Sequence, residues 1–343
     1  MKIPIGILGA TGIVGQKYIN RLASHPLFEI VYLAASEHSA GKTYEEAVIG
    51  RWHEDIPIPK KIASLLVYPL AENCQAISRC RLLFSALDNE AAIIFEPYFA
   101  NIGFAIVSNA SWGRKEADIP IIIPEINADH LSIIPIQQKN RSWKGFIVAK
   151  PCCTVQSYLI ALGILHKKFV LEKIFVTSFQ SLSGAGWPGI AAIDILDNII
   201  PFIRGEEEKC EEEPLKILGS IGSSSIIKNN QICISSHCNR VPVLNGHLSC
   251  VSFSLKDKNV TKKDLLNTWA SAPKGLIHYT ESEDRPQPRK DKDRGLGMTI
   301  SIGRLRTCPL LDFRLVTLSH NTVRGAAGGG ILTAELLLSK GLI

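Results

Sequence analysis

The stretch IPIGILGATGIVGQKYINRL, residues 3–22, decides the fold. Its first part is an apolar run that predicts a buried strand, and the part from residue 14 onward has apolar side chains at helical spacing. Between the two lies GATGIVG, in which Gly9, Gly12 and Gly15 form the turn. The order of strand, glycine turn and helix predicts the first unit of a parallel sheet covered by helices.

Each glycine of this turn has a separate use in a dinucleotide-binding site. Gly9 permits the tight turn, Gly12 lets the backbone approach a pyrophosphate, and Gly15 allows the helix to pack closely on the sheet. Free amides and the dipole at the helix N-terminus then attract the anion. A purely structural turn is the alternative, but its position after the first strand favours the nucleotide site.

The same alternation continues for about 150 residues. FEIVYLAAS and CRLLFSAL predict further strands, and NEAAIIFEPYFANI predicts a helix that leads into the strand GFAIVSN. Strands that alternate with helices in this way predict a Rossmann-like, doubly wound parallel sheet, the α/β fold class.

Beyond residue 150 the pattern changes to long strands with few helices between them. EKIFVTSFQSLS, NQICISSHCNRVPV, GHLSCVSFSL and LLDFRLVTLS predict an α+β domain with a largely antiparallel sheet. The final segment, RGAAGGGILTAELLLSKGLI, predicts a glycine turn and a helix that packs back on the first domain. We therefore expect residues 1–151 and 322–343 to form the nucleotide-binding domain and residues 152–321 to form the second domain.

Two segments are dense in charge, GEEEKCEEEP and EDRPQPRKDKDRG. Such runs are usually solvated loops or solvated helix faces, and that is the default interpretation here.

Composition excludes several classes of function. The 343 residues carry 38 basic and 32 acidic side chains, a formal charge of +6 that is spread along the chain. We therefore expect no nucleic-acid partner, whereas a small anionic substrate suits this charge. We expect no secretory signal, because the N-terminus becomes glycine-rich before an h-region is complete. We expect no membrane partner, because the apolar runs are shorter than the ~18 residues of a membrane span.

The nine cysteines show no paired spacing and predict reduced thiols in a cytoplasmic protein. Cys233, His237 and Cys238 could suggest zinc, but ICISSHC alternates as a strand and lacks a second ligand pair. We expect no metal.

Residues at the end of the second predicted strand should determine whether the protein binds NAD or NADP. A lone acidic residue there would bind the ribose hydroxyls of NAD. Here Ser36, Ser39 and Lys42 surround Glu37 and His38, which offers hydroxyls and a cation to a 2′-phosphate. This mixture favours NADP.

The segment AKPCCTVQS, residues 149–157, places Cys152 and Cys153 at the start of a predicted helix. Pro151 cannot lie inside that helix, so the two thiols face its first turn. Unpaired amides and the helix dipole favour a reactive thiolate there. A small buried thiol is the alternative, and a vicinal pair suits neither one metal nor an unstrained disulfide.

Three other polar residues extend this hypothesis. Gln180 ends a strand before a glycine loop, and Arg240 and His247 flank a turn at residues 245–246. A histidine could serve a cysteine nucleophile as acid and base, and an arginine could bind a carboxylate through two hydrogen bonds. A structural histidine is the alternative.

Ten motifs in order resemble the aspartate-β-semialdehyde dehydrogenase family, in particular its archaeal and fungal-like branch. They are GATGIVGQ, ASEHSAGK, FSAL, VSNAS, IPEIN, PCCTVQ, SLSGAGWPG, EPLKIL, NRVPVLNGH and NTVRGAAGG. The resemblance implies reduction of L-aspartyl 4-phosphate by NADPH to L-aspartate 4-semialdehyde with release of phosphate, toward lysine, threonine and methionine. It also implies that the second domain is catalytic and dimerises, giving a homodimer or homotetramer.

The resemblance also implies residue roles. Cys153 would be the nucleophile, His247 the acid and base, and Gln180 the residue that orients the acyl intermediate. The implied substrate-binding residues are Arg240 for the carboxylate, Glu213 for the amino group, Lys216 and Arg114 for the phosphate, and Asn109. The implied cofactor-binding residues are Gly9, Thr11, Gly12, Ile13, Val14, Ser36, Ser39, Ser85, Ser183, Gly184 and Asn321.

The sequence departs from the family at two positions and in one stretch, SWGR, which differs from the family's more usual stretch before the phosphate arginine. Cys152 stands where the family commonly has asparagine, and His38 stands where it often has arginine. N-Acetyl-γ-glutamyl-phosphate reductase is the alternative enzyme, and glyceraldehyde-3-phosphate dehydrogenase fits the residues less well. A non-catalytic NADP-binding protein is the alternative from another class.

Overall fold

Residues 3–22 form the predicted strand, turn and helix in a computed structural model that describes residues 2–71 and 75–343. Strand β1 (Ile3–Leu8) precedes the turn and helix α1 (Ile13–Leu22) follows it. Gly9 has a φ of +76°, which favours glycine, and a Cβ on Gly15 would lie 2.2 Å from the Gly9 carbonyl oxygen. Cys74 lies outside the described residues.

The first sheet has six strands in the order β3-β2-β1-β4-β5-β6, and all its neighbours are parallel. The remaining strands are β2 (Phe28–Ala35), β3 (Val67–Pro69), β4 (Leu82–Ser85), β5 (Ala105–Ser108) and β6 (Phe146–Ala149). The accompanying helices are α2 (Tyr44–Ala47), α3 (Lys60–Ala63), α4 (Asn89–Ile102), α5 (Trp112–Lys115), α6 (Pro124–Asn127) and α7 (Ile134–Arg141). Parallel strands bring their carboxyl ends to one edge, which is where a ligand site is expected.

The second sheet has six strands in the order β10-β7-β11-β14-β13-β12. Its three central pairs are antiparallel, whereas β10 pairs with β7 and β12 pairs with β13 in parallel. The strands are β7 (Leu171–Gln180), β10 (Cys233–Arg240), β11 (His247–Leu255), β12 (Ile277–Thr280), β13 (Ile300–Thr307) and β14 (Phe313–Ser319), and β8 (Ser220–Ile221) pairs separately with β9 (Ile226–Ile227). A parallel sheet and a largely antiparallel sheet confirm the predicted fold class.

Further helices connect and cover the second sheet. They are α8 (Cys153–Phe169), α9 (Ala192–Ile195), α10 (Glu206–Ile217), α11 (Lys262–Ala270) and α12 (Pro288–Asp291), followed near the chain end by a π-type turn (Val323–Ala327) and α13 (Gly328–Ser339). Short 3₁₀ turns lie at Gln75–Arg79, Ala128–Ile133, Leu182–Ala185 and Arg294–Gly297.

Two hydrophobic clusters hold these layers. In one, Ala334 and Leu337 of α13 pack with Ile5 and Ile7 of β1. In the other, α8 packs between Ile147 of the first sheet and strands of the second. Because α8 is buried along most of its length, its N-terminus is held rigidly between the two sheets.

Candidate active site

A cavity of about 300 Å³ lies at the carboxyl ends of the first sheet, against loops of the second. Segments that follow β1, β4, β5, β6 and β7 all contribute to its wall. The sequence-predicted residues that line it are Cys153, Arg114, Asn109, Ile13, Val14, Ser183, Gly184 and Asn321. Cys152 lines it as well, next to Cys153, so the cavity surrounds the start of α8.

Cys153 and His247 meet at this helix start. Cys153 is the first residue of α8 and His247 is the first residue of β11, and the Cys153 Sγ lies 3.2 Å from the His247 Nε2. The backbone N–H of Ser181 donates to His247 Nδ1 at 3.1 Å. The Ser181 Oγ lies 3.1 Å from the same nitrogen, so contacts at Nδ1 orient the ring with Nε2 toward the sulfur.

The pKa of the Cys153 thiol lies well below its ordinary value. A hydrogen bond from Cys152 is the largest cause, and His247 and Lys150 add to it against the effect of burial. The pKa of the Cys152 thiol is correspondingly raised, first by its bond to Cys153 and then by burial and by Glu206. The pair is therefore divided into one nucleophilic sulfur and one protonated thiol.

Two carboxylates of α10 hold Cys152 in place. Its amide donates to Glu213 Oε2 at 2.6 Å, and its thiol donates to Glu206 Oε2 at 3.2 Å. Cys152 is the residue immediately before α8, with an extended ψ of 143°. Because its amide is bound to Glu213, only the amides after it remain for an anion at the helix start.

Gln180 and Arg240 lie at the ends of neighbouring strands and are both buried. The Gln180 Nε2 lies 3.4 Å from Glu206 Oε2, and the Arg240 Nη1 donates to the Ser181 carbonyl at 2.8 Å. Within the part of the chain that the structure describes, the buried Arg240 Nε has no hydrogen-bond partner. A Cβ on Gly184 would lie 2.9 Å from Arg240 Nη1 and 3.1 Å from His247 Cε1, so the glycine loop closes over both side chains.

Arg114, Glu213 and Lys216 form a second polar cluster, which lines an adjoining cavity of about 520 Å³. Arg114 pairs with Glu213 at 3.0 Å, and the Lys216 Nζ donates to the Arg114 carbonyl at 2.9 Å. Burial lowers the pKa of Lys216 to about 8. Of these three side chains, Arg114 also lines the cavity at Cys153.

Asn109 connects the cavity at Cys153 to helix α1, which follows the glycine turn. Its Nδ2 donates to the Tyr18 hydroxyl at 2.7 Å and to the Ser85 carbonyl at 3.0 Å. Its Oδ1 is buried and has no hydrogen-bond partner in residues 2–71 and 75–343, which leaves an acceptor at the cavity.

The turn at residues 9–15 fits a dinucleotide phosphate. A Cβ on Gly12 would meet only the Gly9 carbonyl, at 3.6 Å, so the backbone there is open to a ligand. Helix α1 starts after Gly12 with no side-chain cap, which leaves its first amides free for an anion. The Gln16 amide holds the turn through Thr11, because its Nε2 donates to the Thr11 carbonyl at 2.9 Å.

The end of β2 offers a cation that the sequence analysis missed. The Arg51 Nη2 lies 3.4 Å from the Ser39 Oγ, and the Gln16 Nε2 donates to the Arg51 carbonyl at 2.7 Å. Lys42 is exposed and donates to the His38 carbonyl. Ser36 is exposed at the same strand end, so hydroxyls and two cations lie together there.

Asn321 joins two loops of the site. Its Nδ2 donates to the Ser183 Oγ at 2.8 Å, and its Oδ1 accepts from the Gly246 amide at 2.9 Å. These bonds connect the loop after β7 to the turn that precedes His247.

Glu206 and Lys150 were also missed by the sequence analysis. The default interpretation of GEEEKCEEEP as solvated is wrong for Glu206 and Glu213, which are both buried. The sequence could have indicated this burial. One face of α10 is buried at helical spacing, and it consists of Glu206, Cys210, Glu213 and Ile217.

Within residues 2–71 and 75–343, no helix has the length and apolar character needed to cross a membrane. The same part of the chain contains no group of three or more metal-binding side chains that could hold an ion.

Comparisons with known proteins agree along the whole chain. Family models described as the NAD binding domain and the dimerisation domain of semialdehyde dehydrogenases match residues 4–134 and 162–324. The aspartate-semialdehyde dehydrogenase of Archaeoglobus fulgidus is 42% identical and that of Schizosaccharomyces pombe 41%, over 100% and 99% of both chains, respectively. The crystal structure of the Candida albicans enzyme with NADP has a TM-score of 0.91 at 36% identity and covers 100% of both chains.

Proposed function

The chain belongs to the aspartate-semialdehyde dehydrogenase family, and from this premise we propose that it reduces L-aspartyl 4-phosphate to L-aspartate 4-semialdehyde. The reaction uses NADPH, releases phosphate, and leads toward lysine through diaminopimelate and toward threonine and methionine. The chain is an NADP-dependent oxidoreductase. The observation that carries this proposal is the Cys153 Sγ at 3.2 Å from the His247 Nε2, in a cavity that also contains the start of α1.

In the first step, the Cys153 thiolate attacks the acyl carbon. The sulfur forms the new bond to carbon, and the bond from carbon to the phosphate oxygen breaks with its electron pair on phosphate. Arg114 faces the cavity as a cation and favours this departure. The product is a thioester on Cys153.

NADPH, when bound, supplies the hydride that reduces the thioester. The His247 Nε2 lies beside the Cys153 sulfur, so it can take the thiol proton as the thiolate forms, and the resulting imidazolium can give that proton to the developing oxyanion. The amides at the α8 start beyond Cys152 favour the same charge. When His247 takes the proton back, the carbon–sulfur bond breaks, and the aldehyde leaves with Cys153 restored as a thiolate.

The surrounding charges support an amino-acid substrate. Arg240 has an unpartnered buried Nε and would bind the carboxylate, with Gln180 orienting the acyl group. Glu213 would face the substrate amino group, while Lys216 and Arg114 would bind the phosphate with Asn109 beside them. For Glu213 this role requires substrate to compete with its present bonds to Arg114 and Cys152.

The cofactor and the organisation of the chain complete the proposal. NADP would lie on the turn of Gly9, Thr11 and Gly12, with Ser36 and Ser39 near its 2′-phosphate. Residues 1–151 and 322–343 would form the NADP-binding domain and residues 152–321 the catalytic and dimerisation domain. We propose a homodimer or homotetramer in the cytoplasm, which agrees with the description of the family model over residues 162–324.

A phosphate-dependent assay in the oxidative direction tests the function. We expect NADP reduction with L-aspartate 4-semialdehyde and phosphate, slower reaction with NAD, and none with N-acetyl-L-glutamate 5-semialdehyde. Turnover of the acetylated aldehyde would instead support the alternative reductase. Binding of NADP without turnover of either aldehyde would support the non-catalytic alternative.

A further inference from the structure

Gln16 follows the glycine turn directly and is buried, yet no step of the proposed function uses it. It lies in α1 and is 1% exposed. Its Nε2 donates to the Thr11 carbonyl at 2.9 Å and to the Arg51 carbonyl at 2.7 Å. Its Oε1 accepts from the backbone N–H of His53 at 2.8 Å. One side-chain amide therefore joins the glycine turn to residues 51–53.

The orientation of the Gln16 amide follows from its partners. Two carbonyl oxygens require its NH₂ group and a backbone N–H requires its oxygen, so the reverse orientation would lose all three bonds. Both protons of the NH₂ group are used. The amide therefore holds the two segments firmly, because movement of either one would leave a buried polar group unpaired.

A separate set of bonds holds the next part of the same loop. The Lys17 Nζ and the Asn20 Nδ2, both in α1, donate to the Glu54 Oε2 at 2.7 Å and 2.5 Å. These bonds involve neither the glycine turn nor Arg51, and they remain when the Gln16 amide is removed. Loss of that amide should therefore shift Arg51 without unfolding the loop.

Arg51 is the charged group that Gln16 can position. Its Nη2 donates to the Ala47 carbonyl at 2.6 Å and lies 3.4 Å from the Ser39 Oγ. Both partners are uncharged, and within residues 2–71 and 75–343 no carboxylate forms an ion pair with Arg51. Its positive charge is therefore available to an anion at the end of β2.

Two anion-binding features of the first domain thus depend on one side chain. The first is the uncapped start of α1 after Gly12, next to the Thr11 carbonyl that Gln16 binds. The second is the guanidinium of Arg51 beside Ser39. When two anionic groups belong to one ligand, protein groups held in place before binding increase affinity, because less ordering is needed on binding.

We propose that Gln16 is a positioning residue for NADP, because its amide holds Arg51 in place relative to the glycine turn and so lets the pyrophosphate and the 2′-phosphate be bound together. The inference rests on the proposed function, in which the turn and Ser39 bind NADP. NAD has the pyrophosphate but no 2′-phosphate. The bond from Gln16 to Arg51 therefore favours NADP alone, whereas its bond to Thr11 favours both cofactors.

The test is fluorescence titration of the full chain with NADPH and with NADH, in the absence of aldehyde. Gln16→Met keeps the length of the side chain and removes its hydrogen bonds. We expect Kd to rise about tenfold for NADPH but no more than about threefold for NADH, because only NADPH loses its contact with a correctly placed Arg51. Thermal unfolding of the variant shows whether the fold is kept.

Asn20→Ala is the matched control. It removes a hydrogen bond between the same helix and the same loop, but this bond involves neither the glycine turn nor Arg51. Kd for NADPH should stay within about twofold of the wild-type value. A rise as large as that of Gln16→Met would show that any weakening of the loop lowers affinity.

A double-mutant cycle shows whether Gln16 acts through Arg51. Once Arg51→Ala has removed the guanidinium, Gln16→Met should raise Kd for NADPH no more than it raises Kd for NADH. A further rise that is specific to NADPH in the Arg51→Ala background would show that Gln16 acts through another group, and the proposal would be wrong.

A measurement on the wild-type chain keeps the proposal testable if Gln16→Met does not fold. Gln16 accepts from the His53 backbone N–H, so hydrogen exchange at that amide reports how often the bond opens. Saturation with NADPH should slow this exchange more than saturation with NADH, because only NADPH can hold Arg51 through a 2′-phosphate.

Several results would overturn the proposal. These are unchanged or equally raised Kd values for the two cofactors in folded Gln16→Met, an equal effect of Asn20→Ala, and equal slowing of exchange at His53 by both cofactors. Because binding is measured without aldehyde, these results do not depend on which substrate the protein uses. Failure of the proposed reaction would appear in the turnover assay instead.

Discussion

The thiol of Cys152 lies 3.2 Å from the Glu206 Oε2, and its amide is bound to Glu213. Among the described residues, no carboxylate is hydrogen-bonded to the adjacent Cys153 thiol, which faces His247 instead. Two neighbouring cysteines are therefore placed in opposite electrostatic surroundings by one helix, α10, and by one strand, β11. Cys152 is held as a protonated hydrogen-bond donor, and Cys153 is left as the nucleophile.

The two cysteines should respond differently to substitution. Cys153→Ser should lower semialdehyde turnover by roughly 10³-fold or more and leave NADPH binding intact, because a serine hydroxyl does not ionise at neutral pH. Cys152→Ala should retain measurable turnover, because Cys153 and His247 stay in place, but loss of the Cys152 hydrogen bond should raise the pKa of Cys153. Steady-state assays and fluorescence titration with NADPH give both quantities, and the reverse pattern would assign the nucleophile to Cys152.

Glu206 should act through Gln180 and Cys152, both of which its Oε2 contacts. Glu206→Ala removes hydrogen bonds to a charged group, each worth about 1.5–3 kcal/mol, and should lower kcat about tenfold or more. Glu206→Gln keeps an acceptor and should recover part of this loss. A change in KM for the aldehyde with unchanged kcat would contradict a positioning role. As a control, thermal unfolding of the variant shows whether the protein is destabilised as a whole.

Gly325→Ala should damage the site sterically. The added Cβ would lie 2.8 Å from the Cys153 Cβ and 3.2 Å from its Cα, so the nucleophile must move. We expect a fall in kcat of about tenfold or more, because small displacements of reacting groups are costly. Gly113→Ala is the matched control, since its Cβ would meet a neighbour at an ordinary 3.4 Å. Equal turnover of Gly325→Ala and wild type would show that the contact is not tight.

Arg51 should contribute to the choice of NADP over NAD. Its guanidinium lies beside Ser39 at the end of β2, where a 2′-phosphate is expected. Arg51→Ala should raise KM for NADP about tenfold and change KM for NAD little, because only NADP carries that phosphate. An equal rise in KM for NADP and for NAD would instead show that Arg51 stabilises the loop that is bound by Gln16.

The local pattern of the sequence predicted the elements that bear the site. The glycine turn after β1 and the helix start at Cys153 depend on neighbouring residues only, and both form as predicted. Strand β3 was missed because it has three residues and ends in proline, too few for a periodic signal.

The contacts of the site depend on residues far apart in the chain, and these were harder to predict. Lys150 is 175 positions from Gly325, and no local pattern relates the two. Arg51 is separated from Ser39 by a loop and a short helix. Glu206 could have been found from the helical spacing of α10, but its charge made the segment resemble a solvated one.

The most direct measurement is the covalent state of Cys153 during reaction. The protein is mixed with L-aspartate 4-semialdehyde and NADP without phosphate, quenched, and analysed by mass spectrometry. We predict a burst of about one NADPH per subunit and an aspartyl thioester on the peptide that contains Cys153, discharged when phosphate is added. An adduct on another residue, or continued NADPH formation in the absence of phosphate with no adduct, would contradict the account.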